Sequence, residues 1–194
     1  MPFDPAAEEL LERMKVSAGG QLPPERGIIG RVVIMGVSGS GKTAVGSALA
    51  TRLGWRFIDA DDLHPPANIA KMSSGVPLTD QDRGPWLAAV ARHLTSGRDA
   101  IAACSALKRA YRNTIAEAVP GVFFVHLAVP TATLAARMRA REDHFMPASL
   151  LDSQLSTLEP LGPDESGITI DAARELDSVV VELAERLAAA DSDR

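Results

Sequence analysis

Eight consecutive residues near the first quarter of the chain have the types and spacing of a phosphate-binding loop. Residues 36–43 read GVSGSGKT, which fits the pattern GxxxxGK followed by Ser or Thr. Glycine permits backbone turns in which successive N–H groups point inward at phosphate oxygens. In this pattern the lysine supplies positive charge to the β- and γ-phosphates, and the last hydroxyl ligates Mg²⁺. The sequence thus predicts a nucleotide P-loop made of Gly36, Val37, Ser38, Gly39, Ser40, Gly41, Lys42 and Thr43.

Paired carboxylates follow the second apolar run, in the segment Asp59-Ala60-Asp61-Asp62-Leu63-His64-Pro65. Side chains two residues apart at the end of a strand point the same way. Beside a P-loop, one of these carboxylates can hold Mg²⁺ through water and the other can contact a substrate hydroxyl, since phosphoryl transfer also uses a carboxylate that accepts the hydroxyl proton. The alternative is a polar loop in which Asp62 caps the following helix. His64, in the same loop, is a candidate substrate contact.

Basic residues after the second and third strands indicate an anionic substrate. Lys71 and Arg83 lie in or beside a segment punctuated by Gly and Pro that could cover the site. Lys108 and Arg112 are spaced i, i+4, on one helix face just past a strand. For any single Lys or Arg the alternative is a solvated charge. The third strand ends in Cys-Ser instead of the Asp that helps to hold Mg²⁺ in many P-loop enzymes, so this duty is expected of Thr43 and Asp59.

Several arginines precede a proline in the last third of the chain, from Arg137 through Arg141 to Pro147. This pattern predicts a mobile lid over about residues 139–150 that closes over ATP, excludes water and delivers charge to the transferring phosphate. The alternative is a helix end at which arginines interact favourably with the helix dipole.

Alternating strand and helix patterns predict an α/β fold of three layers, with a mostly parallel five-stranded sheet and helices on both faces. Ligands of such sheets bind at the carboxyl ends of the strands, where the candidates above cluster. The predicted strands are 31–36, 55–59, 99–104, 122–128 and 167–171. The predicted helices are 43–53, 65–74, 82–96, 106–118, 130–141, 147–158 and 173–190.

Composition limits the classes of function. The chain has 194 residues, of which 23% are charged, with a net charge of −5 and one cysteine. An acidic balance without a basic run argues against nucleic-acid or membrane partners, and a lone cysteine suits a reducing cytoplasm. No apolar run is long enough to span a membrane. Residues 1–30 are expected to be an extension, flexible or with a short helix over 6–16, before a single domain over 31–190.

These motifs together resemble the gluconokinases, short P-loop kinases related to shikimate kinase. The resemblance covers about residues 31–172, and the segments beyond the P-loop are its most specific part. A departure is Asp143, where the family commonly has Gly before His-Phe. The matching stretches are 35–43, 59–65, 68–72, 75–83 and 104–112, with a weaker match from Arg141 through His144-Phe145 to Gln154, Leu158 and Glu159-Pro160.

The resemblance implies ATP-dependent phosphorylation of D-gluconate at its terminal hydroxyl, by in-line transfer from MgATP in a homodimer. It implies that Asp59 supports Mg²⁺ through water and that Asp61 orients or deprotonates the hydroxyl. The catalytic residues would be Lys42, Asp61 and Arg141, and Arg137 and Arg141 would face the nucleotide. The substrate-binding residues would be Asp61, His64, Lys71, Arg83, Ser105, Lys108, Arg112 and His144.

Two alternatives to this function stay open at the level of sequence. A kinase for another small sugar acid or a shikimate-like compound would keep the nucleotide residues and differ at His64, Lys71, Arg83 and Lys108. A catalytically silent nucleotide-binding regulator is the other alternative. The intact P-loop lysine and threonine and the paired carboxylates argue against a silent protein.

Overall fold

A parallel sheet of five strands lies at the centre of the computed structural model, which describes residues 30–97, 99–140 and 149–192. The strands are β1 (Arg31–Met35), β2 (Arg56–Asp59), β3 (Ala100–Ala103), β4 (Phe123–Ala128) and β5 (Gly167–Asp171). Their order is β2-β3-β1-β4-β5, and every neighbouring pair is parallel. The predicted sheet is confirmed, and all of its strands are parallel.

Helices cover both faces of the sheet, which confirms the three-layer fold. They are α1 (Lys42–Leu53), α2 (Pro66–Ser73), α3 (Asp80–Thr95), α4 (Arg109–Ala118), α5 (Thr131–Arg139), α6 (Ser149–Thr157) and α7 (Leu176–Ser192). Successive side chains of a strand point to opposite faces. In β1, Val33 and Met35 therefore pack with α3 and α4, whereas Val32 and Ile34 pack with α1 and α7.

Close packing of α1 on the sheet fixes where the P-loop lies. A Cβ atom on Gly46, in the middle of α1, would stand 2.7 Å from Cε2 of Phe57 in β2. Glycine at this position lets the helix approach β2 and β3 more closely than any side chain would allow. The loop between β1 and α1 is thereby held at the carboxyl edge of the sheet, beside the ends of β2 and β3.

Helix starts differ from the predicted ones by one to three residues, and for α3 and α4 the structure shows a local reason. Helix α3 begins at Asp80 because Thr79 and Asp82 form a capping box, with the Asp82 N–H donating to Thr79 Oγ1 at 3.2 Å. Helix α4 begins only at Arg109 because Ala106 has a φ of 41°, in the left-handed region. The N-terminal extension, apart from residue 30, and residues 141–148 of the predicted lid lie outside the described residues.

Candidate active site

The P-loop curls between β1 and α1 through backbone conformations that favour glycine. Gly36, Gly39 and Gly41 have φ values of 143°, 80° and 95°. The Lys42 ammonium folds back along the loop and donates a hydrogen bond to the carbonyl oxygen of Val37 at 3.1 Å. Because α1 begins at Lys42, the positive end of its dipole faces the loop. The arrangement is that of an anion site at a helix N-terminus.

A short chain of hydrogen bonds connects the P-loop to the paired carboxylates. The Thr43 hydroxyl donates to Asp59 Oδ2 at 2.8 Å, and the Asp61 backbone N–H donates to Asp59 Oδ1 at 3.0 Å. Asp59 is therefore the N-cap of the 3₁₀ turn Ala60–Leu63, and its side chain holds the backbone of Asp61 in place. Hydroxyl and carboxylate oxygens are the ligands that Mg²⁺ prefers.

The protein donors suit a magnesium ion that is shared with a nucleotide. Among the described residues there is no group of three or more His, Cys, Asp and Glu that could hold a metal. A kinase Mg²⁺ takes only one or two protein ligands and keeps phosphates and water for the rest. Thr43 and Asp59 thus supply oxygen atoms of the kind that suits such an ion, and they would not form an all-protein metal cage.

One cleft brings the P-loop and the candidate acceptor residues together. Of the residues predicted to bind ATP or substrate, Ser38, Lys42, Asp61, His64, Arg83 and Ser105 line it. The other lining residues include Met72, Leu78, Trp86, Leu107, Tyr111 and Gln154. A phosphate loop, a carboxylate and an arginine in one cleft can bind an anionic acceptor next to a nucleotide.

His64 is a neutral hydrogen-bonding group in this cleft. Its ring stacks on Trp86 with centroids 4.3 Å apart, and burial, followed by the nearby Arg83 charge, lowers its pKa to about 4. Asn68 Nδ2 lies 3.4 Å from His64 Nδ1, and because an amide nitrogen only donates, Nδ1 is assigned as the acceptor. The proton is then on Nε2, where it can be donated to a substrate oxygen.

Arg83 lies on the cleft wall, and its guanidinium contacts two neighbours. Nη1 donates to the carbonyl oxygen of Leu78 at 2.6 Å, and the guanidinium carbon lies 5.3 Å from the centre of the Tyr111 ring.

Lys108 does not line the cleft. Its ammonium donates to both carboxylate oxygens of Asp80, at 3.0 and 3.1 Å.

Two predicted substrate ligands point elsewhere in this structure. Lys71 forms an ion pair with Asp82 at 2.6 Å and does not line the cleft. Arg112 is only 1% exposed, and its Nε and Nη2 donate to the carboxylate of Glu165 at 2.5 and 2.9 Å. The interpretation of Arg112 as a substrate ligand is corrected, because its guanidinium is buried and also bonded to the carbonyl oxygens of Ala106, Leu107, Glu159 and Pro160.

The nucleotide side of the P-loop is bordered by Arg137. Its Nη1 lies 3.5 Å from the Ser40 carbonyl oxygen, and its Nη2 donates to the carbonyl oxygen of Ala172 at 2.9 Å. A second depression on this side is lined by Gly39, Gly41, Arg137, Arg174 and Leu176, among others. The structure thus places Arg137 beside the loop, whereas Arg141 and His144 lie outside the described residues.

Sequence reasoning missed Gln154, Tyr111 and Asp80 as residues of the site. Gln154 Oε1 accepts a hydrogen bond of 2.7 Å from the Ser38 backbone N–H, so α6 contacts the P-loop directly. The two partners are 116 residues apart, and no local pattern announces such a contact. Asp80 and Tyr111 are 31 residues apart, so their contact also lies beyond the reach of a local sequence pattern.

Cys104 follows β3 next to the cleft without taking part in its chemistry. The thiol is fully buried, and burial raises its pKa to about 12. A protonated, inaccessible thiol is not a nucleophile. This residue therefore packs as a small apolar side chain in the core of the α3 and α4 face.

Comparison with known proteins identifies relatives of this chain in sequence and in fold. The family described as AAA domain matches residues 32–161. A gluconokinase from Gluconobacter oxydans (strain 621H) is 50% identical over 164 residues, which cover 82% of this chain and 92% of that protein. A crystal structure of a gluconokinase from Sinorhizobium meliloti 1021 matches with a TM-score of 0.79 and 47% identity, over 86% of this chain and 95% of that one.

A more distant solved structure shows the fold alone. Shikimate kinase from Bacteroides thetaiotaomicron has a TM-score of 0.62 at 18% identity, over 81% of this chain and 98% of that one. Similarity at this level supports the arrangement of strands and helices and carries no information on substrate. Because half of the 164 aligned residues are identical to those of a curated gluconokinase, over most of both chains, this chain belongs to the gluconokinase family.

Proposed function

We propose that this protein is a gluconokinase that transfers the γ-phosphoryl group of ATP to the terminal hydroxyl of D-gluconate, giving 6-phospho-D-gluconate. The observation that carries the proposal is the shared cleft, in which Lys42 of the P-loop and Asp61 stand together with Arg83. The similarity to curated gluconokinases supports the choice of acceptor. Phosphoryl transfer depends mainly on positioning and on stabilisation of charge, and this cleft has groups for both.

The carboxylate and the lysine divide the chemistry between them. Asp61 orients the terminal hydroxyl and accepts its proton as the oxygen attacks the γ-phosphorus. The bond from this phosphorus to the bridging oxygen breaks, and ADP leaves in line with the attacking oxygen. Lys42 stabilises the negative charge on the β- and γ-phosphates. When bound, Mg²⁺ neutralises charge on the same phosphates, and Thr43 and, through water, Asp59 would hold it.

The rest of the cleft recognises a hydroxylated acid. Arg83 presents a planar group that pairs with a carboxylate through two hydrogen bonds. Ser105 and the neutral His64 add hydrogen bonds to hydroxyls, and the neutral imidazole adds no charge of its own. Roles of Lys71 and His144 toward substrate, of Arg137 toward ATP, and of Arg141 in catalysis stay predictions from the sequence.

Coupled measurement of ADP release tests the proposal. The purified chain would be assayed with MgATP and a panel of acceptors: D-gluconate, other aldonic acids, shikimate, D-glucose and no acceptor. We expect turnover with D-gluconate well above the no-acceptor rate. Turnover with another acid alone would reassign the substrate, and ATP binding without turnover on any acceptor would favour the silent regulator.

The proposal extends to the oligomeric state of the protein and to its location in the cell. We propose a homodimer in the cytoplasm, on the basis of the family resemblance and of the single, buried cysteine. Among the described residues, no helix is long and apolar enough to cross a membrane. Light scattering coupled to size exclusion gives the molar mass directly, and a mass of one chain would contradict the dimer.

A further inference from the structure

A cluster of four side chains stands at the acceptor end of the cleft, built from the starts of two helices. Asp80 is the first residue of α3, and Arg83 lies one turn further along it. Lys108 immediately precedes α4, and Tyr111 lies in its first turn. Of these four, Arg83 and Tyr111 line the cleft, whereas Asp80, whose side chain is 67% exposed, and Lys108 do not.

Asp80 is the centre of the cluster. Its Oδ1 accepts a short hydrogen bond from the Tyr111 hydroxyl, and both of its oxygens accept from the Lys108 ammonium at 3.0 and 3.1 Å. Arg83 Nη1 lies 3.7 Å from Oδ1. These hydrogen bonds lower the pKa of Asp80, the one from Tyr111 most, so the carboxylate stays charged. A lone exposed ion pair orders little, but one carboxylate with donors from two helices forms a connected network.

The Tyr111 ring connects this network to the cleft. Arg83 lies 5.3 Å and Lys108 lies 5.4 Å from the ring centre, so the ring contacts both cations. The Tyr111 hydroxyl is held by Asp80, and the Arg83 guanidinium is held by the ring and by the Leu78 carbonyl oxygen. The orientation of Arg83 therefore depends on Asp80 through Tyr111. Recognition of a carboxylate by two parallel hydrogen bonds depends on that orientation.

We propose that Asp80 is a positioning residue for the acid group of the substrate, which holds Tyr111 and Lys108 so that Arg83 can pair with a carboxylate. The inference rests on the proposed function, since it assumes that the acceptor is an acid bound at Arg83. It gives Lys108 an indirect role, through Asp80, in place of the direct substrate contact predicted from the sequence.

The sign of the effect separates positioning from a simple charge effect. A carboxylate near the binding site repels an anionic substrate. If Asp80 acted on the substrate only through its negative charge, its removal would therefore lower the KM for gluconate. If Asp80 acts by positioning, its removal raises this KM, because Arg83 and Tyr111 lose their fixed geometry. The Michaelis constant for ATP, which binds at the P-loop, is unaffected by either mechanism.

Steady-state kinetics of Asp80→Ala test the proposal, with Asp164→Ala as the matched control. Asp164 is also an exposed carboxylate that accepts a hydrogen bond from a basic residue of α4, Arg109, but this partner does not line the cleft, whereas the Asp80 partner Tyr111 does. We expect the gluconate KM of Asp80→Ala to rise about 10-fold, with kcat and the ATP KM within about 2-fold. Asp164→Ala should leave all three constants near those of the parent chain.

Tyr111→Phe keeps the ring and removes the hydroxyl that Asp80 accepts, so it tests the same link if Asp80→Ala folds poorly. We expect its gluconate KM to rise, and the double variant to show less than the sum of the two effects, because both changes break one hydrogen bond. A gluconate KM that is unchanged or lower in these variants would overturn the positioning role. Absence of gluconate turnover in the parent chain would instead overturn the proposed function.

Discussion

The two ends of the cleft are constructed in different ways. At the phosphate end, the loop of residues 36–43 is contiguous, and its shape comes from glycine backbones and from the start of one helix. At the acceptor end, Arg83, Tyr111 and His64 come from different elements and are held by side-chain contacts with Asp80, Asn68 and Trp86. One end is thus a local structure, and the other is an assembly.

This difference has a consequence for how each end responds to substitution. The shape of the P-loop comes mainly from its own backbone, with a long-range side-chain contact in which the Ser38 N–H donates to Gln154 Oε1 at 2.7 Å. In the proposed arrangement the acceptor wall depends on Asp80, which does not line the cleft but contacts Tyr111 and Arg83, which do. Four experiments, given in order of decreasing expected effect, test whether the two ends of the cleft differ in this way.

Asp61→Asn should show the largest effect, because Asp61 lies where the two ends meet. Loss of a group that accepts a proton in the transition state lowers kcat about 10²- to 10⁴-fold. We expect ATP binding to stay close to that of the parent chain, since Asp61 belongs to the acceptor side. Single-turnover kinetics and equilibrium ATP binding would measure the two effects separately. The control is Asp62→Asn, an exposed neighbour outside the cleft lining, and a similar loss in that variant would remove the special role of Asp61.

Arg112→Met should lower stability more than it changes chemistry. The substitution leaves the Glu165 carboxylate, which is only 7% exposed, without its cation. Breaking a buried ion pair in this way costs about 3–5 kcal/mol. Denaturant unfolding would measure the loss, and Arg112→Met combined with Glu165→Leu should recover most of it, because no buried charge is then left alone. If Arg112→Met were as stable as the parent chain but had a raised gluconate KM, the result would support Arg112 as a substrate ligand.

His64 should make stability depend on pH. Its folded pKa of about 4 lies below the unfolded value of 6.5, so the native state resists protonation in this window. The corresponding stability is present above about pH 6.5 and is lost as the pH falls to about 4, on the order of 3 kcal/mol in total. Unfolding measured from pH 7 to pH 4 should lose this slope in His64→Gln. The same slope should persist in His93→Gln, which changes an exposed histidine of α3.

Lys108→Ala should show the smallest effect of the four. Because Lys108 donates to Asp80 and does not line the cleft, its loss leaves the Tyr111–Asp80 hydrogen bond in place. We expect the gluconate KM to rise about 3-fold, which corresponds to less than about 1 kcal/mol, and the ATP KM to stay the same. A rise as large as that of Asp80→Ala would show that Lys108 itself contacts the substrate.

Much of the fold could be predicted from the sequence because its signals are local. The five strands are short apolar runs, and each helix shows apolar spacing, so their positions agree with the structure to within a few residues. The start of α4 was misplaced because the left-handed conformation of Ala106 delays the helix, and a non-glycine residue gives no warning of such a turn.

The candidate site was predictable from the sequence only in part. The pair Asp59 and Asp61 was identified from its place after an apolar run beside the P-loop. In the structure Asp59 ends β2 and Asp61 lies in the 3₁₀ turn that follows, so the alternation of a strand does not extend to Asp61. Arg112 was misassigned because spacing i, i+4 gives a helix face but not what covers that face. In the structure the segment that carries Glu159, Pro160 and Glu165 covers it.

The P-loop, the parallel sheet and the kinase family can be predicted from the sequence alone, because each prediction depends on residues close together in the chain. Which charged side chains line the acceptor end of the cleft depends on tertiary packing. It turned Arg112 inward, paired Lys71 with Asp82, and joined Asp80 to Tyr111. The physical reason is that a charged side chain pairs with whatever opposite charge packing brings within reach, and packing joins elements that are far apart in sequence.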